Sequence, residues 1–265
     1  MGHTPCRQDS TSKTGTPFGQ HALGRLLGTG KEAEVFAFGD GALKLYGATA
    51  AKRSAFREAA NAAVAESLGL PVPEILGIRR VGDRWGIVMG LAEGPSFAES
   101  IKAKSDQTSI YLKEMALLQF RVHGHLGTHF AALKVRLAAN ISRASSLDAA
   151  TQRRLLAKLQ ALPEGDRLCH GDFHLSNILG PLSRPKLIDW LDASSGVPAA
   201  DVCRSYILLG HSEPEIASAY VEAYIGVSGE TRANIFEWLP IVAAARLAEG
   251  VSQEAARLRE MASAT

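Results

Sequence analysis

One stretch of text restricts this chain more than any other: LCHGDFHLSNIL at residues 168–179, followed by KLIDW at 186–190. Apolar segments bracket a polar loop, which reads as strand, loop and strand. Asn177 stands five residues after Asp172, and Asp189 twelve after Asn177. A second strand returning beside the first brings Asp189 next to Asn177, so that two side-chain oxygens converge on one point. A lone Asp–Asn pair in a loop is most often a turn or a cap. Here the His170-Gly171-Asp172 run, the Asn spacing and the Ile188-Asp189-Trp190 run occur together. They also sit in the later half of a chain whose two parts differ in kind.

The first third alternates short apolar runs with turn residues. Residues 22–29, 33–38 and 42–46 are expected to form a three-stranded antiparallel meander. Its turns are Gly-Thr-Gly-Lys and Gly39-Asp40-Gly41, since Gly and Asp accept the positive φ of tight turns. An Ala-rich helix is expected over 50–68, with Phe56, Ala60, Ala63 and Val64 on its apolar face and an end near Gly69, before Pro71-Val72-Pro73. Two further strands are expected near 75–80 and 85–90. After Gly94 the pattern turns helical over 107–125, 130–144 and 147–161, and again from residue 199 onward. The fold class is therefore α+β in two lobes. A β-rich N-lobe with one helix spans 19–91, and a mainly helical C-lobe spans 92–265, hinged near Met89–Gly94. Residues 1–18, rich in Ser, Thr, Gly and Pro, are expected to be a loose tail.

Bulk properties exclude several partners. The net charge over 265 residues is only +2, so neither nucleic acid nor an anionic membrane is indicated. No apolar run is long enough for a membrane span, and the amino terminus lacks the apolar stretch of a signal peptide. Cys6, Cys169 and Cys203 are few and far apart, without the close spacing of a zinc or redox motif, and point to a reducing cytoplasm.

Phosphoryl transfer asks little of a protein. It needs a carboxylate to orient the attacking hydroxyl and accept its proton, and oxygen ligands that hold Mg²⁺ against the triphosphate. Asp172 suits the first role. The amide oxygen of Asn177 and the carboxylate of Asp189 suit the second, because hard cations take oxygen ligands. His170 and His174 are expected to pack and hydrogen-bond within the loop.

The spacing HGDxxxxN, with Ile-Asp twelve residues after the Asn, resembles the aminoglycoside phosphotransferase and choline kinase superfamily, which shares the two-lobed protein-kinase-like fold. The resemblance runs from about residue 22 onward and is strongest over 168–206. It implies ATP as donor, with GTP an alternative, and Mg²⁺ as the metal. It implies Asp172 as catalytic base and Asn177 and Asp189 as magnesium ligands. The turn carrying Gly28 and Gly30 would cover the phosphates, although GTG is also an ordinary hairpin turn and no GxxxxGK[ST] loop is present. Lys44 matches the family lysine that binds the α- and β-phosphates, held by a carboxylate of the following helix. Family position favours Glu58 as that carboxylate. Helical arithmetic at roughly 100° per residue favours Glu66, which lies nearer the edge of the expected apolar stripe. Backbone groups at Met89, Gly90 and Leu91 are expected to meet adenine. Asp201 matches a recurrent family acid and is expected to brace the loop or cap a helix. Trp190 stands where Phe-Gly or Leu-Gly often follows the metal-binding Asp. His123 and His125 fall about 200° apart on a helix and, with His129, are expected to be structural or surface residues.

Residues 191–265 follow the metal-binding Asp and are expected to build the acceptor pocket. They hold ten acidic and five basic residues. This bias is what a cationic small-molecule hydroxyl acceptor, such as an aminoglycoside or amino alcohol, would call for, and an ordinary solvated surface, which also carries such a bias, is the alternative. Only 76 residues follow Asp189, with no Ala-Pro-Glu motif, so a protein substrate is not expected. A nucleotide-binding pseudoenzyme and a kinase of a macromolecule remain the alternatives.

Overall fold

A computed structural model describes residues 22–50 and 52–263; the tail expected over 1–18, with Cys6, lies outside the described residues. The chain opens with β1 (Leu26–Thr29), β2 (Ala33–Phe38), β3 (Gly41–Tyr46), α1 (Lys52–Ser67), β4 (Ile75–Val81) and β5 (Arg84–Gly90). The five strands form one antiparallel sheet in the order β1-β2-β3-β5-β4. Lys44 sits in mid-sheet, opposite Val35 on one side and Ile87 on the other. Strand alternation puts Lys44 on the same face as Tyr46, the face that packs with Ala55 and Ala59 of α1. Leu43 and Leu45 fill the other face with Phe38 and Val88.

Helix α1 turns a different side inward from the one its sequence indicated. Its buried residues are Ala55, Glu58, Ala59, Ala62 and Ala65. Phe56 is 45% exposed, resting edge-on against Trp85 at 5.5 Å between ring centroids, and Ala60 and Ala63 are exposed as well. An Ala-rich helix offers little contrast between faces, so the single Phe misdirects the expected stripe. The helix also belongs to two cores at once. Ala55 and Ala59 pack on the sheet, whereas Ala62 and Ala65 join the large core of the helical half. Methyl groups let the helix approach both bodies closely.

The second part of the chain starts with α2 (Phe97–Ala103), an element the sequence pattern did not resolve. Its start carries a capping box: the Glu99 backbone N–H donates to Ser96 Oγ at 3.2 Å, and the Ser96 N–H donates to Glu99 Oε2 at 2.7 Å. Then come α3 (Thr108–His123), α4 (Leu133–Arg143), α5 (Ala149–Ala161), β6 (Arg167–Cys169), β7 (Ile178–Leu179), β8 (Lys186–Leu187) and β9 (Ser194–Gly196). The chain ends in α6 (Pro198–Leu209), α7 (Pro214–Ser228), α8 (Arg232–Glu237), α9 (Leu239–Leu247) and α10 (Ala255–Ser263). The distinctive text resolves into two ladders rather than one: β6 pairs with β9, and β7 with β8.

The link between sheet and helices is pinned onto these ladders. Gly94 has φ +97°, and a Cβ there would lie 3.1 Å from the Cα of Gly180, so the two chains meet backbone to backbone. The Gly180 N–H donates to Pro95 O at 2.9 Å, and the Leu187 N–H to Pro71 O at 2.7 Å. Among the described residues no helix is long and apolar enough to cross a membrane. Cys169 and Cys203 are buried free thiols.

The inward face of α1 is open to test. Ala65→Leu adds volume at a site with no exposed surface and is expected to cost about 1–3 kcal/mol. Ala63→Leu on the outer face should stay within about 0.5 kcal/mol of the parent. Urea unfolding of both variants decides it, and the reverse order would restore the face containing Phe56.

Candidate active site

Strand β6 delivers His170 into a fully buried position at the head of the loop. Its Nε2–H donates to Ile188 O at 3.1 Å, and its Nδ1 accepts from the Asp172 backbone N–H at 3.2 Å. Its ring lies 4.7 Å from that of Trp190. Burial pushes its pKa down, which favours the neutral imidazole these bonds require. Gly171 follows at φ +81°, where a Cβ would lie 2.2 Å from Asp192 O, so only glycine fits.

The loop is held from beneath by Asp201, in the first turn of α6. Its carboxylate accepts from the backbone N–H groups of His170 (3.0 Å) and Gly171 (2.8 Å), from Gln119 Nε2 (3.0 Å) and from His123 Nε2 (3.1 Å). Asp201 therefore braces the loop, while Val197 occupies the helix cap. Burial opposes its charge, but the hydrogen bonds from His123 and Gln119 outweigh it and hold the carboxyl well below the usual aspartate range. His123 Nδ1 accepts from the Tyr224 hydroxyl at 2.7 Å, so this histidine is structural. His125 is half-buried and His129 exposed. His123, Cys169 and Asp201 cluster closely enough to resemble metal ligands, yet both histidine nitrogens and both carboxylate oxygens are already taken by protein groups.

Asp172 and Asn177 are in direct contact. Asn177 Nδ2 donates to Asp172 O at 2.8 Å and to Asp172 Oδ2 at 3.0 Å, which leaves Asn177 Oδ1 for another partner. His174 Nε2 lies 3.5 Å from Asp172 Oδ2, and His174 Nδ1 accepts from the Ser176 N–H at 3.3 Å, so this histidine braces the loop as well. Burial works against the Asp172 charge, but His174 and then Arg204 overcome it and hold its carboxyl well below the ordinary range.

The β7–β8 ladder brings Asp189 back to this point. The Ile188 N–H donates to Asn177 O at 3.0 Å, one residue before Asp189. Asp189 is the one non-glycine residue with positive φ (66°) among the described residues, an arrangement that costs on the order of 1 kcal/mol. Buried Trp190 fixes the next position: its Nε1 donates to Leu187 O at 3.1 Å, and its carbonyl accepts from Asn61 Nδ2 of α1 at 2.9 Å.

From the sheet, Lys44 Nζ bridges Glu58 Oε1 at 2.8 Å and Asp189 Oδ1 at 3.1 Å. The other Glu58 oxygen accepts from the Tyr46 hydroxyl. Glu66 instead accepts from the Ile75 N–H at 3.0 Å, so the choice left open by the sequence falls to Glu58. Burial opposes the lysine charge, but Glu58 and Asp189 outweigh it and raise its pKa.

Gly28 lies in β1 at a register shift, and the Gly30 N–H closes the turn onto Ala33 O at 2.8 Å. A Cβ at Gly28 would meet nothing within 4 Å, so the protein itself does not demand glycine there and the space above the turn is open. At the end of β5, Met89 stands opposite Ala42 and Ile75, and Leu91 is exposed. The Gly90 N–H donates to Glu74 O at 2.8 Å, so that donor is not available to a base.

The donor chemistry fits a divalent cation. Asn177 Oδ1 and Asp189 Oδ2 are oxygen donors outside the bonds described above, the first on a buried side chain and the second on a partly exposed one. Sequence reasoning missed several groups gathered here: Tyr46, Asn61, Arg136, Asp192 and Arg204. Arg204 Nε donates to Gly171 O, and its Nη2 lies 3.7 Å from Asp172 Oδ1 and from Asp192 Oδ2. Arg136 Nη1 lies 3.3 Å from Asp192 Oδ1. One signal was present in the text, since an arginine between the apolar residues Val202, Cys203, Ile207 and Leu208 of α6 is costly to bury without a purpose.

Solved structures of the same shape include kinases of several small molecules. An aminoglycoside-3'-phosphotransferase of type VIII aligns over 88% of this chain and 94% of its own, at 19% identity and TM-score 0.62. A thermostable mutant of the aminoglycoside phosphotransferase APH(4)-Ia, in ternary complex with AMP-PNP and hygromycin B, aligns over 92% and 93% at 16% identity and TM-score 0.67. Choline kinase LicA from Streptococcus pneumoniae aligns over 92% and 94% at 14% identity and TM-score 0.62. No curated protein matches the sequence. These identities establish a shared fold, the two-lobed kinase-like one. The family model described as "Phosphotransferase enzyme family" matches residues 24–238, which takes in the sheet, the loop with Asp172 and Asn177 and most of the helical half, and on that match the chain belongs to the phosphotransferase enzyme family.

Proposed function

We propose that the protein transfers the γ-phosphoryl group of ATP to a hydroxyl of a small molecule, with Asp172 as the base. The observation that carries this is the joining of Lys44, Glu58 and Asp189 in one ion-pair chain beside the Asp172–Asn177 contact. Asp172 stays ionised and can orient an acceptor hydroxyl and take its proton. Asn177 and Asp189 would hold Mg²⁺, which neutralises phosphate charge when bound. Lys44, kept charged and held by Glu58, is placed to meet the phosphates, and the open turn at Gly28 and Gly30 to cover them. Leu91 and Met89 offer backbone groups to the adenine. The sheet with α1, over 19–91, would act as the nucleotide lobe, and 92–265 as the lobe carrying base and acceptor.

The acceptor would enter a cleft of about 260 Å³ beside His174, lined also by Ala98, Ser176, Ile216, Glu213 and Arg246. Several acids of the last segment are engaged within the protein. Asp192, Glu249 and Glu254 pair with arginines, and Asp201 holds the loop. Glu213 is the carboxylate on this cleft with no ion pair among the described residues, so a cationic acceptor, an amino alcohol or aminoglycoside, would be met there.

Asp172→Asn is expected to lower kcat for MgATP turnover by about 10²- to 10⁴-fold with little change in the KM for nucleotide. Asp189→Ala should abolish metal-dependent turnover. Steady-state ADP release measures both, and activity that survives Asp172→Ala and Asp189→Ala would sink the assignment. A panel of aminoglycosides, amino alcohols and neutral sugars tests the acceptor. Amine-bearing acceptors should support ADP release, and Glu213→Gln should raise their KM by roughly fivefold. Equal use of neutral sugars by parent and variant would remove the cationic preference.

A further inference from the structure

Glu249 lies in the turn after α9, outside every group given a role in the chemistry above, yet it touches both halves of the molecule. Its Oε1 accepts from Arg204 Nη1 at 2.7 Å, and its Oε2 pairs with Arg246 Nη1. Arg246 is itself fixed by Glu254, with Nε to Oε2 at 3.0 Å and Nη2 to Oε1 at 2.8 Å. The Glu249 backbone carbonyl accepts from Lys31 Nζ at 2.7 Å. Lys31 is in the turn between β1 and β2, next to Gly30. On the other side of Glu249, Arg204 donates to Gly171 O and stands 3.7 Å from Asp172 Oδ1. One continuous path of ionic and hydrogen-bonded contacts therefore runs from the glycine turn, through Glu249 and Arg204, to Asp172.

Two features separate this path from incidental surface pairing. Arg204 is buried, so its guanidinium depends on the carboxylates around it, and Glu249 makes its closest ion pair. Lys31 is the contrary case: an exposed side chain whose bond has little worth unless something else holds the turn down. A nucleotide under the turn would do so.

We propose that Glu249 is a positioning residue that couples closure of the phosphate-covering turn to the alignment of Asp172. With the turn closed, Lys31 secures the Glu249 backbone, and the Glu249 side chain keeps Arg204 on Gly171 O and beside Asp172. The coupling rests on the proposed roles of the Gly28–Gly30 turn and of Asp172.

The test is a double-mutant cycle on the full chain, using Lys31→Ala, Glu249→Gln and the double variant. MgAMP-PNP affinity is measured by calorimetry, MgATP hydrolysis by ADP release, and folding by thermal melting. Lys31→Ala is expected to weaken MgAMP-PNP roughly threefold to tenfold with an unchanged melting temperature. Glu249→Gln should lower kcat about tenfold, and in its background the Lys31 effect on affinity should shrink to less than about twofold. Should Glu249→Gln fail to fold, Glu249→Asp replaces it; this keeps the charge but withdraws it from Arg204, and the same coupling is expected at smaller size. Lys31 and Glu249 effects that multiply independently overturn the coupling, as does a Lys31→Ala variant with parental affinity. A parent protein that neither binds MgAMP-PNP nor hydrolyses MgATP overturns the kinase function itself and the coupling with it, an outcome distinct from a parent that binds while the two changes act separately.

Discussion

The carboxylate of Asp201 is buried and takes four hydrogen bonds, two of them from backbone N–H groups of His170 and Gly171. A buried charge of this kind is tolerated only when every donor is in place, because removing one partner leaves desolvated charge behind. The constraint therefore runs in both directions. Helix α6 must present Asp201 beneath the loop, and the loop must turn its N–H groups downward. Once His170 and Gly171 are tied down, Asp172 can face only the side where Asn177, His174 and Arg204 meet it. The neutral His170 extends the same order to Ile188, and so to the segment that presents Asp189.

A second constraint joins the two parts of the chain. Lys44 from the sheet, Glu58 from α1 and Asp189 from the loop after β8 form one charged series. None of these groups is stable alone in its partly buried place, and together they satisfy one another. Asn61 and Trp190 repeat the link through a neutral bond between α1 and the same loop. The glycine turn, by comparison, is held lightly, through Gly30 to Ala33 and Lys31 to Glu249. The molecule thus combines a densely bonded charged centre with a lightly held turn. That division suits a small-molecule kinase, which must align reacting groups closely and still admit nucleotide.

What could be read from the text alone followed from local rules. Turn residues at fixed offsets marked the sheet, and the spacing of Asp172, Asn177 and Asp189 marked the candidate site, because a short loop into β7, with β8 returning beside it, leaves few ways to place those side chains. Family position picked Glu58 correctly where helical periodicity pointed elsewhere. Periodicity went astray because it took Phe56 for a core residue. In the folded chain Phe56 lies outside against Trp85, and a charged residue occupies the inward face since Lys44 and Tyr46 wait there for it. No hydropathy pattern records that a carboxylate is buried with its partners.

The sequence by itself determined the five strands and single helix of the first part, the loop that carries the acid and amide, and the lysine of β3, since each depends on neighbours close along the chain. Only the tertiary structure decided which side of α1 faces inward and that Arg204, Asp192 and Glu249 gather around Asp172. It also decided that Asp192, Glu249 and Glu254 of the last segment pair with arginines rather than standing free for a ligand. Those outcomes depend on groups tens to hundreds of residues apart, whose pairing is set by how helices pack and by the cost of leaving any buried charge alone.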